Sequence, residues 1–512
     1  MGRFPLLTRV VYALVFVLGL RLCYLLVRYV SGSGTVQRFH VESAAFLLVV
    51  IGLCFRMWRK ERLAGSVSTS RPPSFVSAFA FFALAFGLYW PALSLGFLSD
   101  DFGLSERAAT WRVGAVTLEL FRPLPLSVWA LMLQLGAGAK TIHALNITLH
   151  AANAWLTTQI ASEWVRDKWA ALSAGLLMIA MPLAPEAVVW SAGVFDVMAT
   201  TLAVTAVLIG HRYANGASYR LRASFLLVGL LALLAKETAA VVPLIVIVDG
   251  WVRKRFPRPL VLDTAILFGV VGIVAVVRLA LRFGVTGPPL AIRLVRRAVF
   301  RSFGGLAFPW HADLLATSST LPLLAALVTS ALAIAFLLHA GSERLTRVAV
   351  ACSGWILIGI LPVFHVFFIG PDLQSSRYLY LSSVGWSVLL VTLIWDLPSN
   401  RSWSRPVKLL LMIFLVSASV LGTRAHVTPW IEAAALRDTV AREAKRVQQA
   451  ESCERITVSN LPDNNRGAYV FRVNAIEALG RISGAQVQVG DEMGPCSFRW
   501  NEQRLIFLPS DR

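Results

Sequence analysis

The chain has 512 residues, of which 57% are hydrophobic and only 15% charged, with a mean hydropathy of +0.67. Soluble domains carry about 25% charged residues, so this balance excludes an ordinary water-soluble fold. The formal net charge of +20 does not point to nucleic acid, because the basic residues fall in short clusters between apolar runs, the positive-inside pattern of a polytopic membrane protein. A transmembrane barrel is excluded as well: the apolar runs are continuous, each about 20 residues long, where a barrel would alternate.

In chain order, the first apolar run covers roughly 10–29 and the second roughly 41–58, joined by a polar link with Ser31-Gly32-Ser33-Gly34. Met1-Gly2-Arg3 ahead of the first run mimics a signal peptide, but Arg21 and Arg28 inside the run make an uncleaved anchor the expectation. A basic loop with Arg56, Arg59, Lys60, Arg62 and Arg71 marks the cytoplasm. The third run, 74–97, then leaves the cytoplasm through Tyr89, Trp90 and Pro91 and delivers Ser99-Asp100-Asp101 to the opposite face. Residues 102–138 read as a long outer loop whose Trp111, Phe121 and Trp129 suit helices lying along the interface.

Further spans are expected at 140–163, 168–186, 191–210, 222–236, 238–252, 259–281, 318–339, 347–368, 378–395 and 406–424. Basic links at Arg166/Lys168, Arg212/Arg220/Arg222, Arg253/Lys254/Arg255/Arg258, Arg344/Arg347 and Arg401/Arg405/Lys408 alternate as cytoplasmic. That gives about 13 spans, with the N-terminus inside and the tail outside. One outer segment breaks the rule: Arg293, Arg296, Arg297 and Arg301 recur at helical spacing. Either they rest on anionic headgroups or they form a cationic wall for a phosphorylated substrate.

The tail, 426–512, is the one stretch that reads as water-soluble. Residues 430–450 have a helical pattern, and Ile456-Thr457-Val458, Tyr469-Val470-Phe471 and Arg504-Leu505-Ile506-Phe507 read as strands, the first two flanking a turn at Pro462–Gly467. The expected fold is therefore an all-α polytopic membrane protein with a small extracytoplasmic α/β domain. Its parts are an N-terminal hairpin and cytoplasmic loop at 1–73, a membrane core at 74–425 and the tail at 426–512. Cys23, Cys54 and Cys352 lie in apolar runs and read as small core residues; Cys453 and Cys496 lie in the tail, either unpaired or joined in a disulfide.

Polar motifs recur at the outer ends of these spans. Adjacent carboxylates at a membrane boundary either sit at the water interface by default or are functional. After Asp100 and Asp101 come Arg122-Pro123-Leu124, then His143, Asn146 and His150 on one helix face, too far apart for both histidines to hold one metal. Pro185-Glu186, Trp190-x-x-Gly193-x-x-Asp196, Ala235-Lys236-Glu237 and Arg377-Tyr378-Leu379-Tyr380 follow. A snorkelling side chain or an interhelical pair explains any one of them alone.

Taken in order across 74–395, these motifs resemble the GT-C superfamily of membrane glycosyltransferases, closest to the protein O-mannosyltransferase branch with its transmembrane, tetratricopeptide-repeat members. Two departures stand out: two spans precede the usual start, and the tail shows no tetratricopeptide repeats. The resemblance implies a polyprenyl-phosphate sugar donor, a glycan, lipid or protein hydroxyl as acceptor, and chemistry on the outer face of a membrane; the excess of arginine over lysine makes a bacterial cytoplasmic membrane the expectation. By that comparison Asp100 is the base, Asp101 orients the acceptor or helps bind a divalent metal, and Arg377 holds the donor phosphate with Arg122 or with Arg293 and Arg297. His143, Asn146, Glu186, Asp196 and Glu237 are acceptor contacts or packing. A base opposite the leaving group favours inversion. The competing classes are a transporter or flippase of lipid-linked sugars, which would place its charges near the bilayer midplane, and an inactive acceptor-binding homologue.

Overall fold

The computed structural model describes residues 75–110, 122–165, 167–216, 218–280, 343–363, 369–370, 372–395, 404–490 and 496–507, with a few residues between 302 and 309. The runs expected at 10–29, 41–58 and 318–339, and with them Cys23, Cys54, Arg293 and Arg297, lie outside the described residues.

The described chain is mostly helical. In order its helices are α1 (Phe75–Tyr89), α2 (Asp101–Ala109), α3 (Pro123–Gln134), α4 (Ala139–Trp164), α5 (Lys168–Ile179), α6 (Pro185–Val189), α7 (Val194–Asn215), α8 (Tyr219–Ala235), α9 (Val242–Arg253), α10 (Arg258–Ala280), α11 (Glu343–Gly359), α12 (Tyr380–Trp395), α13 (Ser404–Ala450) and α14 (Ala475–Ser483). Helix α4 is the hub: it packs against α1, α5 and α7, and its 26 residues reach about 39 Å, more than a hydrocarbon core requires. The Asp167 carboxylate caps α5 by accepting the Trp169 and Ala170 N–H groups. That helix stops at Ile179, short of the expected 186, because Pro182 and Pro185 cannot donate to a continuing ladder.

Among the described residues five stretches are long and apolar enough to cross a membrane: Ser77–Ser94, Ser191–Asn215, Arg258–Val277, Ser376–Trp395 and Arg405–Ala450. On α10 the side chains of Leu262, Ile273 and Val276 are more than 60% exposed, a surface that water would penalise and lipid would not. The protein is an integral membrane protein.

Other expectations also need correction. Trp129 does not lie at the interface: it is fully buried on α3, its ring 6.0 Å from that of Phe97. The 406–424 span and the 430–450 helix are one continuous element, α13, with Pro429 inside it. The change from apolar to polar composition after Leu421 alters which solvent the helix meets, and the helix runs on through Gly422 and Thr423, whose hydroxyl donates to the Ala180 carbonyl at 2.8 Å. At 47 residues it extends about 70 Å, so it carries on beyond any bilayer into the tail.

The tail sheet has the order β4 (Val487–Val489), β1 (Ile456–Ser459), β5 (Ser497–Trp500), β6 (Leu505–Phe507), with β1 parallel to both β4 and β5 and β6 antiparallel to β5. The expected strand at 469–471 is only a two-residue arm, β3 (Ala468–Tyr469), of a hairpin with β2 (Asn464–Asn465). Arg466 and Gly467 turn this hairpin with positive φ; beyond Tyr469 the Val470 and Phe471 N–H groups still donate to the Asp463 and Pro462 carbonyls, while the Val470 carbonyl accepts from Ser99 of the membrane core. Cys453 and Cys496 form a disulfide across 43 residues, and Cys352 is free and buried.

Candidate active site

The site begins at the turn from α1 into α2. Ser99 has a φ of 48°, a left-handed conformation costly for a residue with a Cβ, so its surroundings must hold it. Asp101 supplies that hold. Fully buried, it accepts the Leu98 N–H at 2.9 Å through Oδ2 and the Ala192 N–H at 2.8 Å through Oδ1. Burial pushes its carboxyl up to about 8, against the pull of those two N–H groups. Asp100, half-buried beside it, takes only a 3.2 Å hydrogen bond from the Ser99 hydroxyl and makes no ion pair among the described residues. The two carboxylates are thus divided: one is spent on the backbone, the other is open.

The second component is the turn between α6 and α7. Here the chain passes so close to itself that a Cβ on Gly193 would overlap the Ala187 carbonyl, which accounts for a glycine in this motif. The Asn146 amide donates to the Trp190 and Ser191 carbonyls at 2.8 and 3.3 Å. His143 Nε2 lies 3.0 Å from the Gly96 carbonyl and 3.2 Å from the Ser191 hydroxyl. Both residues therefore fasten the turn to α4. One and two helical turns on, His150 and Asn153 meet the Tyr380 hydroxyl at 2.6 and 3.1 Å and pin α12 to the same face. The Trp190 indole closes the circuit by donating to the Leu98 carbonyl at 3.3 Å.

Across Trp190 lies a row of charges. The Arg377 guanidinium stacks on the Trp190 ring, 4.7 Å from its centroid, and donates to Glu186 at 2.8 Å. Arg377 is 4.0 Å from Asp196, which accepts from Lys236 at 2.6 Å. Next along the chain, Glu237 is gripped by Arg122 through two bonds of 3.0 and 2.5 Å, with the guanidinium over Phe195. Burial pushes the Glu237 carboxyl up, but the charge and hydrogen bonds of Arg122 outweigh it and hold the group down at about 2. Three cations and three carboxylates balance.

The sequence reading names Arg122, Glu186, Asp196, Glu237 and Arg377, and the structure brings all five together. It adds Lys236, Trp190, Ser99 and Tyr469. The first three sit inside motifs already singled out. Tyr469 gave no signal of its own, because it comes from the tail: its hydroxyl donates to Glu186 at 3.0 Å, and its ring lies 4.8 Å from that of Trp190. Among the described residues no group of three or more His, Cys, Asp or Glu side chains is placed to hold a metal ion.

Chemically, the arrangement offers an open carboxylate able to take a proton and a cation row able to stabilise an anion a few side chains away. No family model matches the chain. An alignment 181 residues long, covering 31% of the chain, shows 30% identity to "Protein O-mannosyl-transferase Tmtc1" of Drosophila melanogaster. The chain spans 20% of the length of that curated relative. The structure of ArnT from Cupriavidus metallidurans bound to undecaprenyl phosphate has a TM-score of 0.49 and 11% identity, covering 83% of this chain and 87% of that one. In sequence, then, the chain is similar to the protein O-mannosyl-transferase branch of the GT-C membrane glycosyltransferases, the branch its ordered motifs resemble.

Proposed function

We propose that the protein is a GT-C-type membrane glycosyltransferase that moves a hexosyl, mannosyl-like sugar from a polyprenyl-phosphate donor to a hydroxyl acceptor on the outer face of a bacterial cytoplasmic membrane. The observation that carries this reading is the division of the acidic pair. Asp100 is the one carboxylate of the cluster that no cation or backbone N–H occupies among the described residues, and buried Asp101 fixes the turn that presents it. Similarity to the O-mannosyl-transferase adds weight over the matched stretch.

In this reaction Asp100 takes the proton of the acceptor hydroxyl as its oxygen attacks the anomeric carbon. The bond from that carbon to the phosphate oxygen breaks, and its electron pair stays on the phosphate. The charge that grows there falls to Arg377, Lys236 and Arg122. A base opposite the leaving group gives inversion in a single displacement. Asp101 is a positioning residue, as are His143 and Asn146, which lock the 190–191 turn. The boundaries 1–73, 74–425 and 426–512 serve as the working division into anchor, catalytic core and outer domain.

The direct test is to incubate membranes containing the full chain with a panel of radiolabelled polyprenyl-phosphate sugars. Transfer by the wild type and not by Asp100→Asn is expected from one donor at least. Uptake of labelled lipid with no transfer from any donor would replace the enzyme by a transporter.

A further inference from the structure

The three ion pairs of the charge row differ in how far they are from water. The side chains of Glu186 and Asp196 are 3% and 7% exposed and that of Glu237 is 30% exposed; among the cations, Arg122 and Arg377 are 20% and 19% exposed and Lys236 is 4% exposed. Arg122 is thus the accessible cation of the row whose own carboxylate is accessible too, so an incoming anion can take that carboxylate's place without opening the core. Arg122 meets Glu237 with Nε and Nη2 side by side, on Oε2 and Oε1 respectively. That two-pronged grip suits two oxygens of a phosphate as well as two of a carboxylate.

We propose that Glu237 is a placeholder for the donor phosphate: it holds Arg122 in position while the site is empty and yields it when the phosphate arrives. The inference rests on the proposed function and assigns Glu237 a role in setting donor affinity. Charge bookkeeping supports it. A sugar-bearing polyprenyl phosphate carries one negative charge, and the phosphate released by transfer carries about 1.5 to 2. Additional positive charge is therefore needed as the glycosidic bond breaks, and the row holds no surplus cation while Glu237 keeps Arg122. Glu237 is ionised while Arg122 holds it, so it competes for the arginine as a charged group, and its partly exposed position lets water take over its solvation when the phosphate displaces it. Glu186 and Asp196 are too buried to leave on the same terms.

The test is Glu237→Gln in the detergent-purified full chain, titrated with undecaprenyl phosphate. The amide keeps the shape and removes the charge that competes for Arg122. Affinity should rise at least about tenfold, equivalent to about 1.4 kcal/mol, and the gain should vanish in Arg122→Ala/Glu237→Gln. A bracket that merely supports Arg122 predicts the opposite sign, since losing it would loosen the arginine and weaken binding. Glu237→Asp, which withdraws the carboxylate by one methylene, should gain less in the same direction and covers the case in which the amide does not fold. Unchanged or weaker lipid binding with sugar transfer intact overturns this inference alone. No binding by wild type or variant overturns the donor assignment with it. Inorganic phosphate competing with the lipid at equal concentration would show that the site takes the anion without its chain and would overturn the lipid as its occupant.

Discussion

The Tyr469 hydroxyl of the tail donates to Glu186 at 3.0 Å, and Arg377 donates to the same Glu186 oxygen at 2.8 Å and lies 3.4 Å from that hydroxyl. One residue further along the tail, the Val470 carbonyl accepts the Ser99 N–H at 3.2 Å, and the Val473 N–H donates to the Ser99 hydroxyl, also at 3.2 Å. Within five residues of the tail, Tyr469 thus touches the arginine, and Val470 and Val473 touch the turn that carries Asp100. Tyr469→Phe keeps the ring against Trp190 and removes the hydroxyl bonds. A bond to a charged partner contributes about 1.5 to 3 kcal/mol, so donor KM should rise roughly tenfold or more while kcat changes less. Steady-state kinetics with the donor varied decide it; an unchanged KM would mean that the tail does not act on the arginine.

Ser99 gives the complementary case. Glycine relieves the left-handed backbone but deletes the hydroxyl that links Val473 to Asp100. A purely conformational role predicts a variant at least as stable and as active as the wild type. Positioning of the carboxylate predicts a thermal midpoint near the wild-type value with kcat down several-fold and donor KM unmoved. Measuring both quantities on one preparation separates the two.

The core motifs were legible because each couples a charge to a break in an apolar run, and in a membrane protein such breaks cluster at span ends. Pro182 and Pro185 frame one turn, and Lys236-Glu237 interrupt the next, so their approximate places follow from composition alone. What each charge touches was not legible. Glu186 and Arg377 are separated by 191 positions, and nothing in either motif names the other. Tyr469 lies in a segment whose pattern reads equally well as an ordinary strand; only its docking on Trp190 shows its place. The continuity of α13 was hidden because the hydropathy change at its membrane exit looks like the end of a helix.

The side of the membrane can be tested with positions the structure shows to be accessible. Arg107 on α2 and Asn501 in the tail are exposed, and α2 is joined to the tail where the Arg481 guanidinium donates to the Ser105 hydroxyl. Tyr219, 84% exposed, opens α8 at the end remote from Lys236. In a background lacking the native cysteines, single cysteines at 107 and 501 should react with an impermeant maleimide in intact cells. A cysteine at 219 should react only after permeabilisation. Labelling of 219 in intact cells would reverse the orientation.

The disulfide's contribution grows with the logarithm of the loop it closes. For a separation of 43 residues the chain-entropy model gives about 4 kcal/mol. Cys453→Ser/Cys496→Ser should therefore leave the membrane core folded and make the tail sensitive to limited proteolysis. Mass spectrometry after alkylation, with and without reduction, checks the bond itself; free thiols in protein from an oxidising compartment would refute it.

Asp100 and Asp101 supply the sharpest test because the structure gives two adjacent carboxylates different work. Asp100→Asn keeps the shape and removes the proton acceptor, so turnover should fall at least about 100-fold with donor affinity and thermal stability near normal. Asp101→Asn replaces one acceptor oxygen by an amide that faces a backbone N–H, and should cost about 1 to 3 kcal/mol of stability. The pH dependence separates them further. The Asp101 carboxyl has an ordinary value of about 4 when unfolded and about 8 in the fold. Between those limits the folded form holds a proton that the unfolded form releases, so raising pH lowers stability. The contribution is full below about 4, declines through the window and is lost once pH passes about 8. Thermal midpoints from pH 5 to 9 should therefore fall in the wild type and in Asp100→Asn, and fall less in Asp101→Asn, whose amide does not titrate. If Asp101→Asn shows the wild-type slope, the buried carboxylate stays ionised under its two N–H groups. If Asp100→Asn turns over normally while Asp101→Asn does not, the proton acceptor is the buried residue, and the open carboxylate is a surface group at the mouth of the site.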